Sequence, residues 1–148
     1  MRNSAKDFFS SREQEDIKMA IMNAELDTSG EIRVHVENNV SGDILDRAAY
    51  IFKKLGMEKT SLRNGVLIYL ALKNRRFAII GDSGINQVVP ANFWDEIKSG
   101  MLSHFREGRF TDGLIEAITE TGQHLKKHFP YQKGDVNELP DEISFGKD

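Results

Sequence analysis

The stretch RNGVLIYLALKNRRFAIIGDSGIN, Arg63 to Asn86, decides the fold. Val66 to Leu72 is almost wholly apolar, as a strand buried on both faces must be. Lys73-Asn74-Arg75-Arg76 reads as a hairpin turn, and Phe77 to Ile80 returns as a further strand. The stretch closes on Gly81-Asp82-Ser83-Gly84, which is either a working site or only the end of a strand.

Upstream, Ile32, Val34 and Val36 alternate with Arg33, His35 and Glu37, which predicts a strand with one dry face and one wet or partly covered face. Between this strand and Val66, Asp43 is placed to cap a helix with Ile44, Ala48, Ile51, Phe52 and Leu55 on its buried side. Gly56 suits the left-handed position that follows. Strand, helix and strand make a right-handed crossover, so the first two strands run parallel. The hairpin makes the third antiparallel.

The flanks supply helices. Ser10 or Ser11 caps the first, with Glu13 and Gln14 positioned for a capping box. Ile17, Ala20, Ile21 and Ala24 form its apolar stripe, and Asp27-Thr28-Ser29-Gly30 ends it. Pro90 opens a helix carrying Phe93, Trp94, Ile97, Met101 and Phe105, which Gly108 stops. Thr111 or Asp112 caps another, with Leu114, Ile118, Leu125 and Phe129 inward and Pro130 as the stop. The expected fold is α/β: an αβα sandwich with a small mixed β-sheet flanked by about four helices. It covers residues 1–130. Residues 131–148 are an acidic C-terminal tail, flexible or loosely docked through Leu139, Ile143 and Phe145.

A chain of 148 residues buries a core as one domain without staples. Cysteine is absent, which removes disulfides, thiolate nucleophiles and cysteine metal clusters. A net charge of -3 offers no basic field for nucleic acid. The opening MRNSAKDFFSSREQED lacks the apolar core of a secretory signal, and Val66 to Leu72 is far too short to span a bilayer. The expectation is a cytoplasmic protein.

The topology gathers three separated segments on one edge of the sheet: Gly30-Glu31, Arg63-Asn64-Gly65 and Gly81-Asp82-Ser83-Gly84, with Asp27 and Asn86 nearby. Asp27, Glu31 and Asp82 offer hard oxygen ligands for calcium or magnesium. Arg63, with Asn64, Ser83 and the glycine-loop amides, suits a phosphate. Together they would form a metal-assisted phosphate site. The bland reading has Arg63 and Glu31 pairing at the rim and the glycines serving a tight turn.

Other motifs carry less. GDSG has the look of a trypsin-like nucleophile loop, but no histidine base or orienting acid is placed for it. His124 and His128 stand at i, i+4 without a following Glu or a third ligand, and read as an exposed helix pair. His35 and His104 read as structural or solvated. Walker and Rossmann glycine patterns are absent. Phe93 and Trp94 read as core, because no basic stripe accompanies them.

In TSGEIRVHVE, RNGVLIYLALKNRRFAIIGDSGIN and FREGRFTDGLIEAI, the chain resembles the TPM domain family, from Ser10 to Phe129. The order and spacing of these motifs carry the resemblance. Members include thylakoid-lumen proteins of photosystem II repair, a nematode acetylcholine-receptor modulator and many bacterial proteins. The resemblance implies an αβα sandwich. Some plant relatives are described as calcium-binding acid phosphatases, and bacterial ones often carry a signal peptide and a membrane anchor, which this chain does not display. Gly30-Glu31 matches the first-strand signature, Asn64-Gly65 the NG before the central strand, and Gly81 and Gly84 the glycine loop. Asp82 replaces a residue that is often aromatic, and no catalytic set carries over. Two functions follow as expectations. One is a binding or accessory module, acting with a protein partner or a membrane-associated complex. The other is a calcium- or magnesium-dependent acid-phosphatase-like phosphomonoester hydrolase.

Overall fold

The structure is a computed structural model and describes residues 5–132 and 137–146. Two helices open the chain, α1 (Ala5–Phe8) and α2 (Ser11–Glu25). Ser10 caps α2 with a complete capping box: its hydroxyl accepts from the Glu13 amide at 3.0 Å, and Glu13 accepts from the Ser10 amide at 2.9 Å. Strand β1 (Glu31–Glu37) follows, then α3 (Ile44–Lys54), whose first amides donate to Asp43. Gly56 adopts the left-handed conformation, φ 72°, and starts a short 3-10 turn, Met57–Lys59. Strands β2 (Gly65–Ala71) and β3 (Arg76–Gly81) form the hairpin.

β2 is buried along its whole length, as its unbroken apolar run requires. It is parallel to β1 and antiparallel to β3. A further strand, β4 (Ser144–Phe145), joins the outer edge of β1 in parallel, and the sheet order is β3-β2-β1-β4. One face presents Ile32, Val34, Val36, Val66, Ile68 and Leu70 to α2, α5 (Asp95–Arg106) and α6 (Phe110–His128). The other presents Leu67, Tyr69 and Ala71 to α3 and Met57. Burying about 0.8 kcal/mol per methylene on both faces, this packing is the main stabilising term.

Several local expectations change. Asp82 is followed by a one-turn helix, α4 (Ser83–Asn86), and the helix expected from Pro90 begins at Asp95. Helix α6 starts at Phe110 with no side-chain cap. Thr111 instead donates to Glu13 at 2.8 Å, tying α6 to the start of α2. The second face of β1 is drier than expected: Glu31, His35 and Glu37 are buried, because α3 and the C-terminal segment cover them. Leu139 reaches the core beneath α3, while Ile143 and Phe145 pack on the opposite cluster. Among the described residues no helix is long and apolar enough to cross a membrane.

Candidate functional site

The three rim segments do meet through their backbones. Glu31 lies opposite Gly65, and Val66 opposite Gly81. The Glu31 amide donates to the Asn64 carbonyl at 3.3 Å, and the Asp82 amide to the Gly65 carbonyl at 3.0 Å. Their side chains separate into two groups, because β2 stands between β1 and β3 and keeps Glu31 and Asp82 roughly 10 Å apart, two strand spacings.

On the β3 side, Arg63 grips Asp82 at two points, Nε to Oδ2 at 2.8 Å and Nη2 to Oδ1 at 3.0 Å. Asp82 Oδ1 also accepts from the Ser83 amide at 2.7 Å and so caps α4. Ser83 is exposed beside them. Asn64 is buried and structural: its amide donates to Thr60 and its side chain to Ser29, both at 3.3 Å. Of the expected phosphate ligands, Arg63 and Ser83 are neighbours, and Asn64 is engaged elsewhere.

On the β1 side a cleft of about 250 Å³ opens, lined by Met22, Glu25, Leu26, Glu31, Tyr131 and Asp141 among others. Glu31 is only 3% exposed. Its Oε1 accepts from the Leu139 amide at 2.6 Å, while Oε2 has no hydrogen-bond partner among the described residues. Burial pushes the Glu31 carboxyl up to about 7, against the pull of the Leu139 and Glu138 amides; the Glu138 and Asp141 carboxylates add to the rise. Glu25 Oε2 accepts from the Ile32 amide at 2.8 Å. Burial, and then a hydrogen bond with Asp141, pushes its carboxyl up to about 9.

Asp27 lies apart and exposed, 3.7 Å from Lys126. Asp27, Glu31 and Asp82 therefore do not share one site, and no group of three acids or histidines stands at metal-ligand spacing among the described residues. Glu25 was legible in principle. It stands four residues after Ile21, where the apolar stripe of α2 calls for another apolar side chain. Glu138 and Asp141 carry no such signal within an acidic segment.

A second buried network centres on Glu37. It accepts from Arg47 at 2.9 and 2.7 Å and from the Tyr69 hydroxyl at 2.6 Å, with His35 Nε2 at 3.4 Å. These partners hold the Glu37 carboxyl down at about 2 despite its burial. His35 Nδ1 meets Ser144 Oγ at 2.9 Å. The order Ser144, His35, Glu37 invites comparison with a nucleophile triad. Glu37 is saturated by Arg47 and Tyr69, and Ser144 lies in strand register with His35, so the bond fastens β4 to β1. Burial depresses the His35 pKa, so its imidazole is neutral at pH 7. His124 and His128 are half-buried and flank the Phe93 ring, 4.7 and 6.0 Å between centroids.

Comparison with known proteins agrees with this architecture. A family model described as the TPM domain matches residues 3–124. The structure is similar to that of the BA42 protein from the psychrophilic bacterium Bizionia argentinensis, with a TM-score of 0.89 and 45% identity, over 94% of this chain and 96% of that one. It also shares its fold with the N-terminal domain of a P. gingivalis protein, TM-score 0.66 and 22% identity, covering 82% and 78% of the two chains. The N-terminal domain of the cg2496 protein from Corynebacterium glutamicum shares the fold too, TM-score 0.65 and 14% identity, covering 88% and 81%. No curated protein matches. The sheet order, the NG before β2 and the family match over most of the length lead to one conclusion: this chain belongs to the TPM domain family.

Proposed function

We propose that the chain is a binding or accessory module whose ligand site is the acid-floored cleft at the head of β1, and that this cleft accepts a cation. The observation that carries the reading is the buried Glu31 Oε2 with no partner among the described residues. A buried acceptor left unsatisfied costs about 1–3 kcal/mol, and a cation arriving there offsets that cost. Glu25 and Asp141 add oxygen donors beside it. Calcium or magnesium would need these acids to close in, since no three stand at metal-ligand spacing among the described residues.

The hydrolase reading fares worse on the rim. Arg63 would hold phosphoryl oxygens only after leaving Asp82, and Asp82 would bind metal only after leaving Arg63 and α4. The test is a titration of the labelled protein with calcium, magnesium and phosphate, followed by amide NMR, beside a p-nitrophenyl phosphate assay. Cation-dependent shifts at Glu25, Gly30, Glu31 and Leu139 without turnover are expected. Turnover lost in Asp82→Asn, with a silent cleft, would overturn the reading in favour of the phosphatase.

A further inference from the structure

The cleft at the head of β1 has a second character besides its acidity. Its mouth is apolar: Met22, Leu26 and Tyr131 are 41%, 68% and 52% exposed. Large exposed apolar side chains grouped at one concave place mark a contact surface. A bare hydrated ion makes no use of such a mouth. An alkyl stem ending in a positive head uses both the mouth and the floor.

The floor also discriminates between positive heads. Glu31 Oε1 is held by the Leu139 amide, which leaves one free oxygen, Oε2. A guanidinium prefers two parallel acceptors on one carboxylate. An ammonium has three independent donors and no fork, so it can spend one on Oε2 alone, and Glu25 and Asp141 line the same cleft. A cleft of about 250 Å³ fits the end of one side chain and not a drug-sized molecule.

We infer that this cleft captures the primary ammonium of a lysine side chain on a partner protein, with Met22, Leu26 and Tyr131 holding its alkyl stem. This rests on the cation-accepting reading above and names its ligand class. Charge complementarity selects the head, and the apolar mouth selects the stem.

The experiment titrates the full chain with the tripeptide Ac-Ala-Lys-Ala-NH2, its norleucine counterpart, n-butylammonium and calcium, each followed by amide NMR. The lysine peptide is expected to shift Leu26, Gly30, Glu31 and Leu139, and the norleucine peptide to leave them in place. Glu31→Gln should weaken the lysine peptide by about tenfold, the loss of one charge-assisted bond. Leu26→Ser with Tyr131→Ser, both at exposed positions, should weaken it by about threefold or more and leave calcium unchanged. Equal binding of the norleucine peptide overturns the inference. So does a calcium response with none to lysine, which would leave the cation-accepting cleft standing. Butylammonium binding as tightly as the peptide overturns the protein source and assigns a free amine. Silence to every probe removes the cation reading as well.

Discussion

Arg63 and Asp82 close a two-point ion pair across the turn from β3 to α4, at 2.8 and 3.0 Å. Asp82 serves two masters, the guanidinium and the first amide of α4. Asp82→Ala removes both partners' acceptor. Loss of the cap alone costs about 1 kcal/mol, and Asp82→Asn, which keeps an acceptor for the Ser83 amide, should cost less. Urea unfolding of the two variants measures the order. Equal midpoints for Asp82→Ala and the parent would remove the capping role.

Gly84 explains why the loop is rich in glycine. A Cβ there would lie 2.2 Å from the Leu62 carbonyl oxygen and 2.6 Å from that of Arg63, and backbone cannot yield as a flexible side chain does. Gly84→Ala should destabilise by about 2 kcal/mol or more and displace Arg63 from Asp82. Gly100 inside α5 meets only the Glu116 Oε1 at 3.5 Å, so Gly100→Ala should stabilise by up to about 1 kcal/mol. Thermal melts of the pair should move in opposite directions; shifts of the same sign would contradict the clash.

Glu37 holds Arg47, Tyr69 and His35 at once. Glu37→Ala strands the buried Tyr69 hydroxyl and leaves the part-exposed Arg47 to water, and should cost about 2–3 kcal/mol. Tyr69→Phe, which removes one donor without stranding a charge, should cost about 1–2 kcal/mol. Chemical denaturation of both, with the double variant, gives the coupling. Additive losses would show that the network is not a unit.

The two acid groups at opposite ends of β1 work in opposite directions with pH. Glu31 and Glu25 are raised, to about 7 and about 9, so the folded chain holds their protons more tightly than the unfolded chain. Their contribution is complete below pH 4.5 and is lost as pH rises through 7 to 9. Glu37 is lowered to about 2, so its contribution is present above pH 4.5 and is lost as pH falls through 2. Glu31→Gln keeps the acceptor for Leu139 and removes the buried charge, and should stabilise by roughly 2 kcal/mol at pH 8.5 with little change at pH 5. Melting temperature against pH for the two proteins checks this. A parallel offset at all pH values would contradict it.

Elements made by neighbours in sequence were legible. The Ser10 capping box, the Asp43 cap, the left-handed Gly56 and the hairpin turn, which falls at residues 72–75, one residue before its expected place, each depend on residues a few positions apart. β4 was not legible as a strand. It is two residues long, and its bond to His35 spans 109 positions. A period-2 pattern has no room in two residues, and the partner that makes them a strand lies far back in the chain.

The apolar patterning of Arg63 to Asn86 and of the strand before it sufficed by itself for the layered α/β sandwich, the parallel pair, the hairpin and the convergence of three segments on one edge. Which polar side chains meet there was decided only by the tertiary structure. The order β3-β2-β1-β4 inserts the fully buried β2 between Asp82 and Glu31. Asp82 is thereby left to Arg63, and Glu31 is left with Glu25 and Asp141, drawn from a helix before it and a segment more than 100 residues after it. Backbone pairing is specified by local pattern, whereas side-chain partnership follows lateral position in the sheet, which no local pattern records.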